Sequence, residues 1–259
     1  MLHGEVLALP ADDRPDLLKK RLASEGAWFY RFSFRNGVET DPPDPITQAV
    51  HDTRARLIFP VLDQLVGDRW STTECVDVAC HEGWFSMQLA ARGASRVLGF
   101  DIRGEHVKKA NLIREITGLS NVDFEEHDVF AVSSSVGTFD VSLLLGLLYH
   151  LDNPVGALRI ARTLTRGVCV IETQVARPAP DLECLWGSGD GRSGPGVAVV
   201  GSDTIHVEGG HEVALVPTLD ALLDILGAVG FRDVKVIEPA PDDFPQFVDG
   251  DRVVVVASG

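Results

Sequence analysis

The sequence predicts an α/β protein built on a mainly parallel sheet, and three observations carry that prediction. Short, β-rich apolar runs alternate with helical periods from about residue 73 to the end of the chain. Glycines at 93, 118, 167 and 230 close the helical runs, as C-terminal caps do. The run 139–145 (FDVSLLL) is almost wholly apolar, as expected of a strand covered on both faces. Strand and helix in strict alternation imply parallel pairing through right-handed crossovers.

Residues 1–72 stand outside the alternation and read as an N-terminal helical and aromatic extension, or lid. They hold the aromatic cluster WFYRFSF (28–34), then a Pro-rich break, DPPDP (41–45). A helix carrying Val50, Arg54, Leu57, Ile58 and Val61 follows, and Pro60 is expected to disturb it. The first strand is 74–79, followed by a helix from Trp84 to Arg92. The second strand is 96–100. Residues 104–117 then align Val107, Ala110, Ile113 and Ile116 on one helical face, with Lys108, Lys109, Arg114 and Glu115 on the solvated side. Strands follow at 121–126 and 139–145. Asn153 and Pro154 make a cap and first-turn pair for a helix running to Gly167. A fifth strand (168–173) precedes a Gly- and Pro-rich insertion, 177–216, long enough to be expected to shape a binding site. Thr218 caps a leucine-striped helix that ends at Gly230, and strands at 233–238 and 252–257 finish the chain.

Composition narrows the function. The chain has 259 residues, 45% of them hydrophobic and 24% charged, with a formal net charge of −15. That length suits one α/β domain, here 73–259, with appendages. Acidity on this scale repels a phosphate backbone, and no run of five basic residues offsets it, so nucleic acid is a disfavoured partner. No stretch approaches the roughly 18 to 20 apolar residues of a membrane span, and the N-terminus lacks the pattern of a secretory signal; a cytoplasmic location is expected, with no membrane partner. Cys75, Cys80, Cys169 and Cys184 form no C-x-x-C pair and read as buried thiols. Homo-oligomerisation is left open.

In an open parallel sheet, ligands sit at the carboxyl ends of the strands. That rule selects DVACHEGW (77–84), Asp101, Asp128, the segment Gly146 to His150, and Glu172. Asp101 stands 24 residues after Asp77, the spacing of a nucleoside-binding βαβ unit. Its carboxylate can accept both hydroxyls of a ribose, or it can cap the helix that follows. Asp128 can accept from an adenine amine or be a solvated turn acid. The first loop lacks G-x-G-x-x-G: Ala79 and His81 stand where glycines are expected, and Glu82 would repel a pyrophosphate. This disfavours NAD and favours a nucleoside without phosphates.

The runs VDVACHEGWFSMQLAARGASRVLGFD and FDVSLLLGLLYHLDNPVGALRIARTLTRGVCVIET resemble the motifs of class I S-adenosylmethionine-dependent methyltransferases. The D-V-A-C-H-E-G-W-F-S form and the downstream LLYHLDNP are similar to a subgroup of wobble-uridine tRNA transferases and natural-product tailoring methyltransferases, as is the lead-in WFYRFSFRNGVET. The resemblance covers roughly residues 28–175. It implies a Rossmann-like sheet of seven strands, the last antiparallel, with helices on both faces, and S-adenosyl-L-methionine as cofactor. By position, Asp77 and the backbone of Ala79, Cys80, His81, Glu82 and Gly83 would hold the methionine portion. Asp101 would bind ribose, and Asp128 with Val129 or Phe130 would flank adenine. Trp84, Leu145 and Gly146, within these motifs, and Ile102 and Arg103, just after the first, would also contact the cofactor.

On this reading His150 is the candidate general base, with a structural histidine as the alternative. Tyr149 orients the acceptor or packs on the sheet. Glu172 binds a cationic amine or serves the core. Trp28 and Tyr30 line the acceptor site or are core. His206 and His211 in the insertion are read as loop residues rather than a metal site. The expected reaction is methyl transfer to a hydroxyl or amine of a small molecule, with antibiotic-type biosynthesis as setting. The alternatives are a tRNA wobble-uridine transferase and a catalytically silent cofactor-binding protein.

Overall fold

The structure, a computed structural model, describes residues 4–11, 14–41, 44–132, 136–177, 197–201 and 213–259. The chain divides into two compact units, Met1–Leu143 and Leu144–Gly259.

The first unit opens with helices α1 (Pro15–Ala23) and α2 (Pro45–Val66). Strand β1 (Glu74–Val78), helix α3 (Trp84–Ala91), strand β2 (Arg96–Asp101), helix α4 (Gly104–Thr117) and strand β3 (Val122–Glu126) then follow in βαβαβ order. Strand β4 (Phe139–Leu145) leads into the second unit. That unit contains helix α5 (Pro154–Leu164), strand β5 (Thr165–Gln174), the two-stranded antiparallel ribbon β6 (Val197–Gly201) and β7 (Val213–Pro217), helix α6 (Leu219–Ala228), strand β8 (Asp233–Ile237), the short helix α7 (Pro245–Val248) and strand β9 (Arg252–Ser258).

Seven strands form one sheet in the order β3-β2-β1-β4-β5-β9-β8. Strand β2 pairs parallel with β1 and β3, whereas β9 runs antiparallel to both β5 and β8. The expected seven-stranded, mainly parallel sheet with an antiparallel last strand is therefore what the chain builds. Among the described residues no helix is long and apolar enough to cross a membrane.

Local chemistry explains most boundaries. The Asn153 side chain accepts from the Gly156 amide at 2.9 Å, and the Thr218 hydroxyl accepts from Ala221. Both are the N-caps expected from sequence. Gly118 ends α4 in the left-handed region at φ 64°. Helix α3 is buried on every side: Trp84, Phe85, Met87 and Leu89 are core, and so are Ser86 and Gln88.

Three expectations are corrected. Pro60 sits inside α2 without ending it; the buried Leu57, Ile58, Phe59 and Leu62 on either side of it outweigh a proline cost of about 3 kcal/mol. Helix α5 stops at Leu164 and β5 begins at once: Thr165 is already extended (φ −96°, ψ 117°), while its hydroxyl donates to the Ala161 carbonyl (2.7 Å). Lys109 is not on a solvated face; its side chain is only 17% exposed and pairs with Glu82. Cys75, Cys80 and Cys169 are free and buried, as read, and burial pushes the Cys169 thiol up to about 12. Cys184 lies outside the described residues.

Within the first unit, one buried ion pair ties the first residues to α2 and to the end of α3. The Arg92 guanidinium meets Asp63 at 3.1 Å with neither side chain appreciably exposed, and it lies 3.9 Å from the Phe59 ring centroid. The other Asp63 oxygen accepts from the Gly4 amide (2.9 Å), and Arg92 also donates to the Glu5 carbonyl. Removing one partner strands the other charge without water. Asp63→Ala is expected to lower stability by about 3 to 5 kcal/mol, read by denaturant unfolding, and the double variant Asp63→Ala/Arg92→Met to recover part of that loss.

Candidate cofactor and acceptor site

The loop after β1 is built around the Asp101 carboxylate. Ala79 (φ 58°), His81 (φ 53°) and Gly83 (φ 76°) all adopt the left-handed conformation. Glycine does so freely, whereas alanine and histidine do so at a cost of about 1 to 2 kcal/mol each. At Gly83 no other residue fits, since a Cβ would lie 2.5 Å from the Phe124 ring. The twist turns the His81 amide toward the end of β2, where it donates to Asp101 Oδ2 at 2.9 Å. The Arg103 amide donates to Oδ1 (3.0 Å), and His106 Nδ1 lies 3.6 Å from the same oxygen. Asp101 thus binds the backbone just ahead of α4 without capping the helix, whose N-cap is Arg103, and the bonds leave further acceptor capacity on each oxygen.

Two carboxyl groups in this loop are driven in opposite directions. Asp101 is 3% exposed. Burial works against its charge, but His106, the Arg103 amide and the Arg103 guanidinium hold it at about 2. Asp77, also 3% exposed, accepts from the Ser86 hydroxyl at 2.6 Å. There burial dominates, aided by the charge of Asp101, and raises the carboxyl to about 7 despite the Ser86 bonds. Pairs split in this way mark functional clefts. His81 is driven well below the usual histidine range by burial, then by its neighbours His106 and Arg103, and is neutral at physiological pH.

The remaining residues singled out from sequence divide by what their side chains touch. Ile102 (56% exposed) and Phe130 (38% exposed) present apolar surface beyond the ends of β2 and β3, while Val129 is buried. Asp128 is exposed and caps the Phe130 amide at 2.9 Å, the turn-acid arrangement. Cys80 is buried, its amide bonded to the Phe100 carbonyl. The side chains of Glu82 and Trp84 turn to the N-terminal segment: Glu82 Oε2 accepts from the Phe29 and Tyr30 amides (2.8 and 3.1 Å), and Trp84 Nε1 donates to the Arg31 carbonyl (2.9 Å). Trp28 and Tyr30 are buried core residues; Trp28 donates to the Leu22 carbonyl and lines a cavity of about 500 Å³ with Lys19, Leu22, Glu39 and Asp41. Phe29, 40% exposed, is the outward ring of the cluster and stacks on His81 with centroids 4.5 Å apart.

In the second unit, β4 ends at Leu145, and the Gly146 amide donates to the Glu172 carbonyl (2.9 Å). A 3-10 turn, Leu148–His150, carries Tyr149 and His150, both half-buried, with ring centroids 4.3 Å apart. The Leu151 carbonyl accepts from the Leu215 amide in β7, so this strand of the insertion is bonded directly beyond His150. His206 and His211 lie outside the described residues. Among the described residues no cluster of His, Cys, Asp and Glu could hold a metal ion. Glu172 is fully buried and meets Arg252 Nη1 at 2.6 Å, and the same nitrogen lies 3.4 Å from Tyr149 Oη. Glu172 therefore spends its charge on the core.

Sequence reading did not single out Phe29 as the outward ring, or His106, Lys109 and Arg252 as partners of the loop acids and of Glu172. Phe29, Lys109 and Arg252 act across 27 to 80 positions and follow no short-range pattern, whereas His106 meets an acid only five residues before it.

The split between Asp77 and Asp101 has a measurable consequence. Asp77 holds its proton in the fold, so its contribution to stability falls as pH rises from about 4 to about 7 and is level above that. Asp101 contributes in the opposite sense: its stabilisation is present above about 4 and is lost as pH falls toward 2. Thermal unfolding of Asp77→Asn should match the wild type near pH 4.5 and exceed it at pH 8, by a few kcal/mol at most.

Residues 71–184 match a family model described as a methyltransferase domain. A tRNA U34 carboxymethyltransferase from Trichodesmium erythraeum is 24% identical over 189 residues, covering 67% of this chain and 53% of that protein. One from Desulfotalea psychrophila is 28% identical over 100 residues, covering 38% and 31%. The chain spans about a third to a half of the length of these curated relatives. Among solved structures, the N-terminal domain of EvdMO1 with SAH bound superposes with a TM-score of 0.69 at 21% identity, covering 95% of this chain and 98% of that one. The strand order and these matches agree: residues 71–184 are similar to a methyltransferase domain, and the sheet has the Rossmann-like fold of the solved structure it superposes on.

Proposed function

We propose that the chain is an S-adenosylmethionine-dependent methyltransferase acting on a hydroxyl or amine of a small molecule. The observation that carries the reading is the Asp101 centre, a buried, ionised carboxylate at the end of β2 with the His81 amide locked onto it. The surroundings suit a nucleoside. Ile102 and Phe130 offer apolar surface of the kind a purine covers, and the buried carboxylate of Glu82 makes the loop a poor host for phosphate.

S-Adenosylmethionine, when bound, supplies a methyl group on an electrophilic sulfonium. The chain's own residues bind and orient. Asp101 accepts from the ribose hydroxyls through its remaining lone pairs. Ile102, Val129 and Phe130 cover the purine, and Asp128 accepts from its amine. The backbone of 79–83, with Asp77, Leu145 and Gly146, is assigned to the methionine end. His150 takes the proton released by an acceptor hydroxyl, with Tyr149 orienting that acceptor.

The small-molecule choice rests on the net charge of −15. A second reading, a tRNA wobble-uridine modifying transferase, is favoured by the curated relatives, seven of which carry the name tRNA U34 carboxymethyltransferase. A catalytically silent cofactor-binding protein is the third; methyl transfer to any acceptor removes it. The cytoplasmic setting and the role in secondary metabolism belong to the same proposal.

Titration calorimetry with S-adenosylhomocysteine tests the cofactor site. The wild type is expected to bind, and Asp101→Ala to lose at least about tenfold in affinity, since two ribose bonds go with the carboxylate. Equal affinity would remove Asp101 from the site. A tRNA gel shift separates the acceptor classes. The small-molecule reading expects no complex at about 150 mM salt, whereas a band that persists there turns the assignment to tRNA.

A further inference from the structure

We propose that Glu82 is a positioning residue: its carboxylate hooks the segment 27–31 onto the 79–83 loop and makes Phe29 a wall of the cofactor site. The inference rests on the cofactor reading above and assigns the Glu82 side chain to the N-terminal segment instead of to the ligand.

Glu82 is 1% exposed, and polar oxygens buried that far need hydrogen-bond partners. It has three. Oε2 accepts from the amides of Phe29 (2.8 Å) and Tyr30 (3.1 Å), two consecutive backbone donors on one oxygen. Oε1 accepts from Lys109 Nζ at 2.9 Å, and the same ammonium also donates to the Ala27 carbonyl and lies 5.2 Å from the Trp28 ring centroid. Further ties run alongside. Trp84 Nε1 donates to the Arg31 carbonyl, and Lys108 pairs with Glu25 at 2.7 Å. Residues 25 and 27–31 are thus each bound to the loop, to the start of α3 or to the first turns of α4.

The result is a ring stack. Phe29 lies on His81 (4.5 Å between centroids, 27° between planes), and His81 lies on His106 (3.6 Å, 25°). His81 is the residue whose amide holds Asp101, and His106 approaches the same carboxylate from the far side. Phe29 therefore presses, through one ring, on the group assigned to ribose. Its 40% exposure leaves apolar surface beside that group for a bound nucleoside to cover.

Titration with S-adenosylhomocysteine tests this, using wild type, Phe29→Ala, Phe29→Tyr and Glu82→Gln. Phe29 is partly exposed, so Phe29→Ala is expected to fold even if Glu82→Gln does not. Phe29→Ala should bind about three- to tenfold more weakly, the loss of one aromatic contact, and Phe29→Tyr should restore affinity. Glu82→Gln should weaken binding at least as much. Limited trypsin digestion gives a readout that loss of packing alone would not move: S-adenosylhomocysteine should slow cleavage at Arg31 and Arg35 in the wild type, and not in Glu82→Gln. If the wild type binds but Phe29→Ala binds within about twofold of it and the ligand leaves cleavage unchanged, the Glu82 assignment falls and the cofactor reading stands. If the wild type does not bind, both fall.

Discussion

One carboxylate organises the first unit. Asp101 closes β2 and takes the His81 amide from the β1 loop, the Arg103 amide from the start of α4, and the approach of the His106 ring. Two strand ends and a helix start are thereby fixed by a single charged group. Burial alone would neutralise it, so its ionisation depends on those donors being where they are. Loop conformation and carboxylate charge therefore stabilise each other.

The buried charges show a common logic. Asp63 with Arg92, Glu82 with Lys109, and Glu172 with Arg252 are ion pairs in which the partners come from distant parts of the chain. Such pairs are poor sources of net stability but strong specifiers of arrangement, because any register that separates the partners leaves a charge in an apolar interior. Asp77 is the exception. It has a hydroxyl partner and no cation, and it resolves the conflict by holding its proton to about 7. A carboxyl holding its proton next to one held ionised sets the β1 and β2 ends apart from the paired charges elsewhere.

Much of the fold was legible because its signals are local. The caps at Asn153 and Thr218, the glycine stop at 118 and the apolar run of β4 each depend on residues within a few positions, and all appear where the spacing put them. The site was half legible. Strand ends pointed to Asp77, Asp101 and Asp128 because in a parallel sheet topology alone gathers those positions. Side-chain direction was not. Lys109 looked solvated by helical spacing, yet a buried carboxylate 27 residues earlier draws it inward. Glu172 looked available at a strand end, yet Arg252, 80 residues away, neutralises it. Helix α1 buries only Leu18 and Leu22, and the strands of the ribbon β6–β7 pair with each other across a long connection, so both carry weak local signals.

The loop after β1 shows how a turn that favours glycine can be made from other residues. Glycine would adopt the left-handed conformation unaided, and would leave the loop free to adopt others. Ala79 and His81 adopt it only because something holds them there. For His81 the restraint is visible: a carboxylate on its amide and a ring on each face. A stack and a charge-assisted hydrogen bond are together worth roughly what the strained backbone costs. The conformation is therefore borrowed from its neighbours, Phe29 in the N-terminal segment among them. In a glycine loop that segment could be lost without the loop noticing. Here the segment and the loop form one structure, so the chemistry assigned to the sheet edge depends on residues that precede the sheet.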